Sequence, residues 1–129
     1  MGIRCGVDIV ETERIRAAVR RQGARFLDRI YTRSEQEDCN ARGAGSMASY
    51  AARYAAKEAV AKALGTGIGA AASFLDIEIV KNTQGAPQAL LHGNAARTFA
   101  MLGGRDLAIS LSHNRSTCVA QAVLLTDPA

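Results

Sequence analysis

An alanine-rich segment between residues 47 and 65 constrains the fold of this chain more than any other feature. Alanine and other good helix formers dominate it, which predicts one long helix from about Met47 to Leu64, ended by Gly65. Alanines let neighbouring elements approach a helix closely, although each of them buries little area. We therefore expect a long central helix against which the remaining elements pack.

Charged side chains recur on this helix at regular spacing. Tyr54, Glu58 and Lys62 are four residues apart and share one face, while Arg53 and Lys57 share the neighbouring face. A carboxylate beside an ammonium on a rigid helix suits a site for a metal ion and a polyphosphate, because Mg²⁺ is held by carboxylates together with substrate phosphates. The alternative is an ordinary surface helix with a Glu58–Lys62 pair worth roughly a few tenths of a kcal/mol.

Hydrophobic periodicity and turn residues predict the remaining elements. Residues 3–10 alternate as a strand whose aliphatic face we expect to be buried, with Asp8 on the opposite face. Helices are predicted at residues 13–22, 32–40 and 94–102, with a short helical turn at 26–30, and strands at 74–81, 88–91, 107–111 and 117–125. The order β-α-α-α-β-β-α-β-β indicates a single α+β domain, residues 1–129, with a largely antiparallel sheet.

Composition and charge narrow the classes of function. The net charge is +4, and one short span holds the arginines Arg14, Arg16, Arg20, Arg21 and Arg25. Such a cluster suits nucleic acid, an anionic membrane surface or an acidic protein. We expect no nucleic-acid binding, because few aromatic residues are available for stacking and no recognised fold signature accompanies the charge.

The lack of a targeting signal and the spacing of the cysteines point to the cytoplasm. No signal peptide opens the chain and no apolar run is long enough for a membrane span, so we expect no membrane association. Cys5, Cys39 and Cys118 are odd in number and lack metal-ligand spacing. We therefore expect a soluble, reduced, cytoplasmic protein.

Short motifs occur along the chain in a distinctive order. They are Gly6–Glu11, Arg29–Glu35, Arg53–Ala59, Gly65–Gly69, Asp76–Ile79, Gly85–Pro87 and Ser110–His113. This series, in this order and at these separations, closely resembles the holo-acyl-carrier-protein synthase family of phosphopantetheinyl transferases, from about residue 3 to about residue 124. The resemblance implies the phosphopantetheinyl transferase fold and an enzyme of fatty acid biosynthesis. Such an enzyme moves the phosphopantetheine arm of coenzyme A onto a serine of an acyl carrier protein and releases adenosine 3′,5′-bisphosphate.

The resemblance and the chemistry of this reaction assign catalytic roles. Asp8 and Glu58 are the expected Mg²⁺ ligands, because the metal needs hard oxygen donors beside the pyrophosphate; the alternative for Asp8 is a salt-bridged strand carboxylate. Lys62 is expected to neutralise the pyrophosphate and to assist the leaving group, unless it only pairs with Glu58. The general base is left open between Glu35, Glu58 and a metal-bound water. Glu35 has the alternative role of stabilising the first turn of its helix.

Coenzyme A is the expected co-substrate. Its expected contacts are Arg53, Lys62, Gly65, Gly85, Pro87, Ser112 and His113. Arg53 is the candidate phosphate fork. The resemblance alone implies that Gly85 and Pro87 lie against the adenine nucleotide and that His113 contacts the coenzyme. Without the resemblance, the first two are simple turn residues and a lone histidine is more often structural.

An acidic carrier protein is the expected partner, docked on Arg14 with help from Arg21 and Arg25. Such charge complementarity raises the association rate more than the affinity. Two rival functions stay open. One is the same chemistry on polyketide or peptide-synthetase carriers, and the other is a non-catalytic basic docking module.

Self-association is expected as well. The alanine-rich composition limits the core of a lone domain, and the strands at 107–111 and 119–125 are apolar on both faces and need a second cover. The resemblance implies a homotrimer with sites between subunits, where Asp8, Glu58 and Lys62 come from one chain and His113 from its neighbour.

Overall fold

The computed structural model of the chain describes residues 1–128, so the last residue of the expected domain lies outside the described part. The elements are β1 (Gly2–Glu11), α1 (Thr12–Gln22), α2 (Ala24–Ile30), α3 (Arg33–Asn40), α4 (Ser46–Ala63), β2 (Ile77–Lys81), β3 (Pro87–Leu91), α5 (Gly93–Met101), β4 (Gly104–His113) and β5 (Thr117–Thr126). The α+β class is confirmed. The expected helical turn at 26–30 is a full helix, α2, so one more helix than expected precedes β2.

The strands form two antiparallel sheets among residues 1–128, where a single sheet was expected. In the larger sheet β5 lies between β1 and β4 and pairs with β1 along its whole length, with Asp8 opposite Ala120. The strands β2 and β3 form a separate hairpin. No helix among these residues is both long and apolar enough to cross a membrane.

The helix α4 packs against one face of the larger sheet, which we call the inner face. Ala55, Ala59 and Ala63 of α4 are buried, as are Ala120 and Ala122 of β5. Small side chains on both elements let the helix backbone approach the sheet closely. The long central helix expected from the alanine-rich segment is therefore confirmed.

The end of α4 follows the expected glycine stop. Gly65, just beyond the helix, has a φ of +84°, where a residue with a Cβ would be strained. An added Cβ there would also lie 2.3 Å from a guanidinium nitrogen of Arg4. Arg4 in turn donates from Nε to the carbonyl of Ala63 at 2.9 Å, so β1 holds the end of α4.

The face of β1 that packs on α4 is the opposite of the one expected. Asp8 lies on the inner face, whereas Ile3, Val7 and Ile9 on the outer face are 72%, 58% and 65% exposed. The expectation that this aliphatic face is buried is wrong for the described chain. The helix packs where Gly6 leaves the strand backbone free of a side chain, which permits the closer approach.

Candidate functional site

Asp8, Glu58 and Lys62 come together where β1 meets α4. The Lys62 ammonium donates to the carbonyl of Val7 at 2.9 Å and to Oδ1 of Asp8 at 3.2 Å. Burial raises the pKa of Glu58 above its ordinary value, the charge of Asp8 raises it further, and Lys62 and Arg14 oppose the shift. The structure therefore brings together the two carboxylates and the lysine that the sequence motifs singled out.

Arg14 of α1 reaches the same place through Tyr54. Its guanidinium donates to the Tyr54 hydroxyl at 3.4 Å and lies 5.4 Å from the centre of the ring, a cation–π distance. Burial raises the pKa of Tyr54; Arg14 opposes the shift, while Glu58 and Asp8 add to it. We call these five residues the carboxylate cluster: Asp8, Arg14, Tyr54, Glu58 and Lys62.

The carboxylate cluster has the donor set that a hard divalent cation requires. Asp8 and Glu58 repel each other through their charges, and a cation between them would relieve that repulsion. Within residues 1–128, no group of three or more His, Cys, Asp or Glu side chains is placed to hold a metal ion. The remaining ligands would therefore be substrate or water oxygens, as is usual for Mg²⁺. The residues present fit Mg²⁺.

Glu35, a candidate general base, is enclosed in the interior. Its Oε1 accepts hydrogen bonds from the Lys57 ammonium and the Thr32 amide, both at 2.8 Å, and its Oε2 accepts one from the Ile79 amide at 2.9 Å. The Thr32 hydroxyl accepts from the Glu35 amide at 3.2 Å, which completes a capping box at the start of α3. With 1% of its surface exposed, Glu35 fits the alternative role of stabilising its helix.

Lys57 is a buried residue whose importance the sequence patterns did not indicate. Besides Glu35, its ammonium donates to the carbonyls of Phe74 at 2.8 Å and Ile77 at 2.6 Å. Burial lowers the pKa of Lys57, and Glu35 opposes the shift. Lys57 thus ties α4 to α3 and to the segment that leads into β2. The available signal was its helical position beside Arg53, away from the face that carries Glu58.

Arg53, the candidate phosphate fork, is bound largely by the protein itself. Its guanidinium donates to the Ser49 hydroxyl at 2.6 Å, to the Ile79 carbonyl at 3.4 Å and to the Asp38 carboxylate. Only 5% of its surface is exposed. Its role toward a phosphate stays a prediction, and its present contacts fix it in the wall of a cavity.

This cavity, of about 450 Å³, opens beside α4, the β2–β3 hairpin and the end of β4, and we call it the hairpin cavity. Three expected coenzyme A contacts line it: Arg53, Pro87 and His113. Arg42 and Lys81, which the motifs did not single out, also line it. A usable signal was their position, since Arg42 precedes a glycine-rich loop and Lys81 ends a strand.

Gly65, Gly85 and Ser112, which were also expected to contact coenzyme A, do not line the hairpin cavity. Gly85 has a φ of +84° in the exposed turn between β2 and β3. Ser112 is exposed and pairs with Val119 in the sheet register. Their roles toward the coenzyme stay predictions.

The carboxylate cluster and the hairpin cavity lie on different faces of α4. Arg53 precedes Glu58 by five residues, which corresponds to roughly 140° around a helix. Among the described residues, none of the five in the carboxylate cluster lines the hairpin cavity. The single chain therefore does not place His113 beside Glu58.

The expected docking arginines are exposed on α1 and α2. Arg14 contacts Tyr54 as described, and Arg21 and Arg25 lie on the surface. Glu13, by contrast, pairs with Arg16 at 2.6 Å and with Arg20 at 2.8 Å. The carboxylate cluster thus borders a basic surface that begins at Arg14.

Comparisons with known proteins test the family resemblance found in the motifs. A family model described as the 4′-phosphopantetheinyl transferase superfamily matches residues 4–112. The holo-[acyl-carrier-protein] synthase of Ruminiclostridium cellulolyticum is 46% identical over 119 residues, which cover 92% of this chain and 89% of that protein.

Solved structures are similar in fold as well. The holo-[acyl-carrier-protein] synthase from Neisseria meningitidis matches with a TM-score of 0.88 at 32% identity, covering 95% of this chain and 98% of that one. The Helicobacter pylori enzyme, solved in complex with coenzyme A, matches with a TM-score of 0.83 at 35% identity, covering 94% and 99%. The resemblance found in the motifs is thereby confirmed along nearly the whole chain, and the chain belongs to the 4′-phosphopantetheinyl transferase superfamily.

Proposed function

We propose that this chain transfers the 4′-phosphopantetheine arm of coenzyme A to a serine of an apo-acyl carrier protein. Its relatives are named holo-[acyl-carrier-protein] synthases, and one of the similar structures holds coenzyme A. The observation that carries the proposal is the meeting of Asp8 and Glu58, from two separate elements, beside Lys62. That arrangement suits a reaction centre in which a pyrophosphate must be neutralised.

The reaction exchanges one phosphorus–oxygen bond for another. The carrier serine oxygen attacks the phosphorus that bears the pantetheine, and the bond from that phosphorus to the bridging pyrophosphate oxygen breaks. Adenosine 3′,5′-bisphosphate departs with the bonding electron pair, and the serine proton passes to a base. The protein has to align the attacking oxygen and stabilise the charge that builds on the leaving phosphate.

The carboxylate cluster supplies charges of both signs for this task. Lys62, half-exposed beside Asp8, can turn its ammonium toward a pyrophosphate oxygen and stabilise the leaving group. Asp8 and Glu58 would hold Mg²⁺, which, when bound, lowers the charge on the pyrophosphate. Because Glu35 is enclosed, we assign the role of proton acceptor to Glu58 or to a water molecule beside it.

The hairpin cavity is the proposed site for the nucleotide end of coenzyme A. Arg42 and Lys81 give it a cationic wall suited to phosphate groups, His113 adds ring nitrogens that can form hydrogen bonds, and Pro87 gives it an apolar wall suited to a base. Arg53 supports the wall from within.

The site is proposed to form between the subunits of a homotrimer. The outer face of the larger sheet exposes Ile3, Val7 and Ile9 on β1 and Val119 on β5, and a contiguous apolar face of this kind is typical of an interface. A neighbouring chain can then bring its hairpin cavity to the carboxylate cluster, which the single chain keeps on another face of α4. In this assembly, each active site would combine the carboxylate cluster of one chain with the hairpin cavity of its neighbour.

The acyl carrier protein is proposed to dock on the basic surface that begins at Arg14 and includes Arg21 and Arg25. Arg14 contacts Tyr54 of the carboxylate cluster, so a carrier bound there has its serine near the carboxylates. We further propose a role in fatty acid biosynthesis, as the sequence resemblance implies, and a cytoplasmic location, as the sequence and spacing of the cysteines indicate.

Incubation with coenzyme A, Mg²⁺ and a panel of apo carriers, read by intact mass, tests the proposal. The fatty-acid carrier should gain the mass of one phosphopantetheine, and Glu58→Ala should abolish the gain. A gain restricted to polyketide or peptide-synthetase carriers would favour that alternative client. No gain on any carrier, with binding of carriers retained, would instead favour a docking module.

A further inference from the structure

Alternate residues of β1 make successive contacts along α4. Arg4 donates to the carbonyl of Ala63 at 2.9 Å, and Asp8 accepts from Lys62 at 3.2 Å. Gly6 lies between these two contacts on the same face of the strand. The strand and the helix are therefore held together on both sides of Gly6.

At Gly6 the two backbones touch. A Cβ added to Gly6 would lie 2.1 Å from the Ala59 carbonyl oxygen, 2.8 Å from the Ala63 amide nitrogen and 2.8 Å from the Lys62 Cβ. The first two atoms belong to the helix backbone, so no smaller side chain on α4 can make room. Even a methyl group at this position requires the strand or the helix to move.

Close approach, and not backbone conformation, is what requires glycine at this position. Gly6 is absent from the residues of the described chain that have a positive φ, and its extended backbone is one that any residue adopts. The neighbouring residues on the same face, Arg4 and Asp8, have this conformation as well. The lack of a side chain at Gly6 therefore permits the short distance between β1 and α4.

We propose that Gly6, together with the Arg4 contact, sets the separation of Asp8 from Glu58. Gly6 and Arg4 are then positioning residues of the metal site. The inference rests on the proposed Mg²⁺ site. Restoring a 3.0 Å contact to the Ala59 oxygen requires a shift of at least about 0.9 Å. Mg²⁺ demands near-ideal oxygen distances of roughly 2.0–2.1 Å, so carboxylates displaced by that much cannot both ligate it.

The test measures metal binding directly, with Mn²⁺ as the probe in the presence of coenzyme A. The electron paramagnetic resonance signal of free Mn²⁺ gives the dissociation constant, against a blank of coenzyme A alone. Gly6→Ala is expected to raise this constant by about tenfold or more, as for other losses of ligand positioning. Val10→Ala is the matched control, because Val10 is buried on the same strand and its truncation adds no atom against α4. It should leave the constant within about twofold of the parent, a comparison that separates positioning from general loss of stability.

A longer carboxylate side chain at position 8 provides a second test. Asp8→Glu adds one methylene, so it should weaken Mn²⁺ binding in the parent and restore part of it in Gly6→Ala. If Gly6→Ala does not fold, Arg4→Met loosens the same contact without a clash and should weaken Mn²⁺ binding by at least about threefold.

Three results would overturn the inference. They are an unchanged constant in a folded Gly6→Ala, an unchanged constant in Arg4→Met, and equal loss of binding in Val10→Ala. A parent that fails to bind Mn²⁺ would overturn the metal site itself. In that case the proposed function fails first, which distinguishes the two failures.

Discussion

The ammonium groups of Lys57 and Lys62 lie on the same helix in opposite environments. Lys57 is fully enclosed and 2.8 Å from the Glu35 carboxylate, whereas the Lys62 side chain is 49% exposed and 3.2 Å from Asp8. Five residues of helix separate them, roughly 140° of rotation. One lysine thus serves the interior of the fold, and the other faces the place where we propose that substrate binds.

Substituting each lysine by methionine should separate these two roles. Lys57→Met is expected to lower the free energy of unfolding by about 3–5 kcal/mol, because it leaves the buried Glu35 carboxylate without its cationic partner. Lys62→Met should change stability by less than about 1 kcal/mol, as for other exposed pairs, and should lower kcat. Urea unfolding measures the free energy of unfolding, and initial rates give kcat. Equal loss of stability in the two variants would contradict the assignment.

Removal of either carboxylate should abolish activity while the fold is retained. Asp8→Ala and Glu58→Ala are each expected to lower the rate at limiting Mg²⁺ on the order of 100-fold or more, because each removes charge stabilisation that the transition state needs. Circular dichroism should match the parent, and Glu58→Ala in particular places a better helix former in α4. Near-normal rates in either variant would refute the metal assignment.

The raised pKa of Glu58 predicts a pH-dependent cost to stability. Burial and the charge of Asp8 favour its protonated form in the folded chain, so this contribution to stability is fully present below the ordinary value of 4.5 and is lost as pH rises through the higher folded pKa. In metal-free protein, Glu58→Gln should therefore melt at a higher temperature than the parent at pH 7, and the difference should shrink toward pH 4. A Gln variant that melts lower at pH 7 would contradict this reading.

Charge reversal at Arg14 should affect the carrier protein and spare coenzyme A. Arg14→Glu is expected to raise KM for the carrier about tenfold or more and to leave KM for coenzyme A within about twofold, because opposed charges steer association. Added salt should weaken carrier use by the parent, since exposed charges are screened over roughly 10 Å at 0.1 M ionic strength. Arg105→Glu makes the same change in net charge on β4 and is the control. Equal effects on both substrates would indicate damage to a shared site.

The proposed trimer predicts complementation between inactive chains. Mixed oligomers of Glu58→Ala and His113→Ala chains should regain activity, because some sites then combine an intact carboxylate cluster with an intact hairpin cavity. Ile9→Glu should dissociate the assembly in light scattering, whereas Met101→Glu, at an 87% exposed position on α5, should not. Active monomers, or no recovery in verified mixed oligomers, would count against shared sites.

Local sequence patterns predicted the helices and strands well, but they indicated the wrong face of β1 as the one that packs on α4. Alternation in residues 3–10 predicts β1 correctly, but it cannot tell which side meets α4 within the chain. The aliphatic side carries the stronger hydrophobic signal, yet the side with Gly6 permits the closer backbone approach. The alternation within β1 alone does not show whether its apolar face meets α4 or, as we propose, a second chain.

The site was predictable to the extent that its residues share a helix face. The spacing of Glu58 and Lys62 is visible in the sequence, and the capping box of Thr32 and Glu35 is a readable motif. The Glu35–Lys57 pair is not readable in this way, because 22 residues separate the partners and only the packing of α3 on α4 brings them together. Glu35 was therefore a plausible base in the sequence and is an interior residue in the structure.

In the proposed trimer, covering the exposed outer face of the larger sheet makes the stability of each chain depend on the concentration of chains. A second copy that covers Ile9 and its apolar neighbours would bind the folded chain and not the unfolded one, so we expect the free energy of unfolding to rise with total protein concentration. Dilution would then remove the shared catalytic sites and lower the free energy of unfolding at the same time. A cell that makes little of this protein would keep a larger share of it unfolded than a cell that makes much.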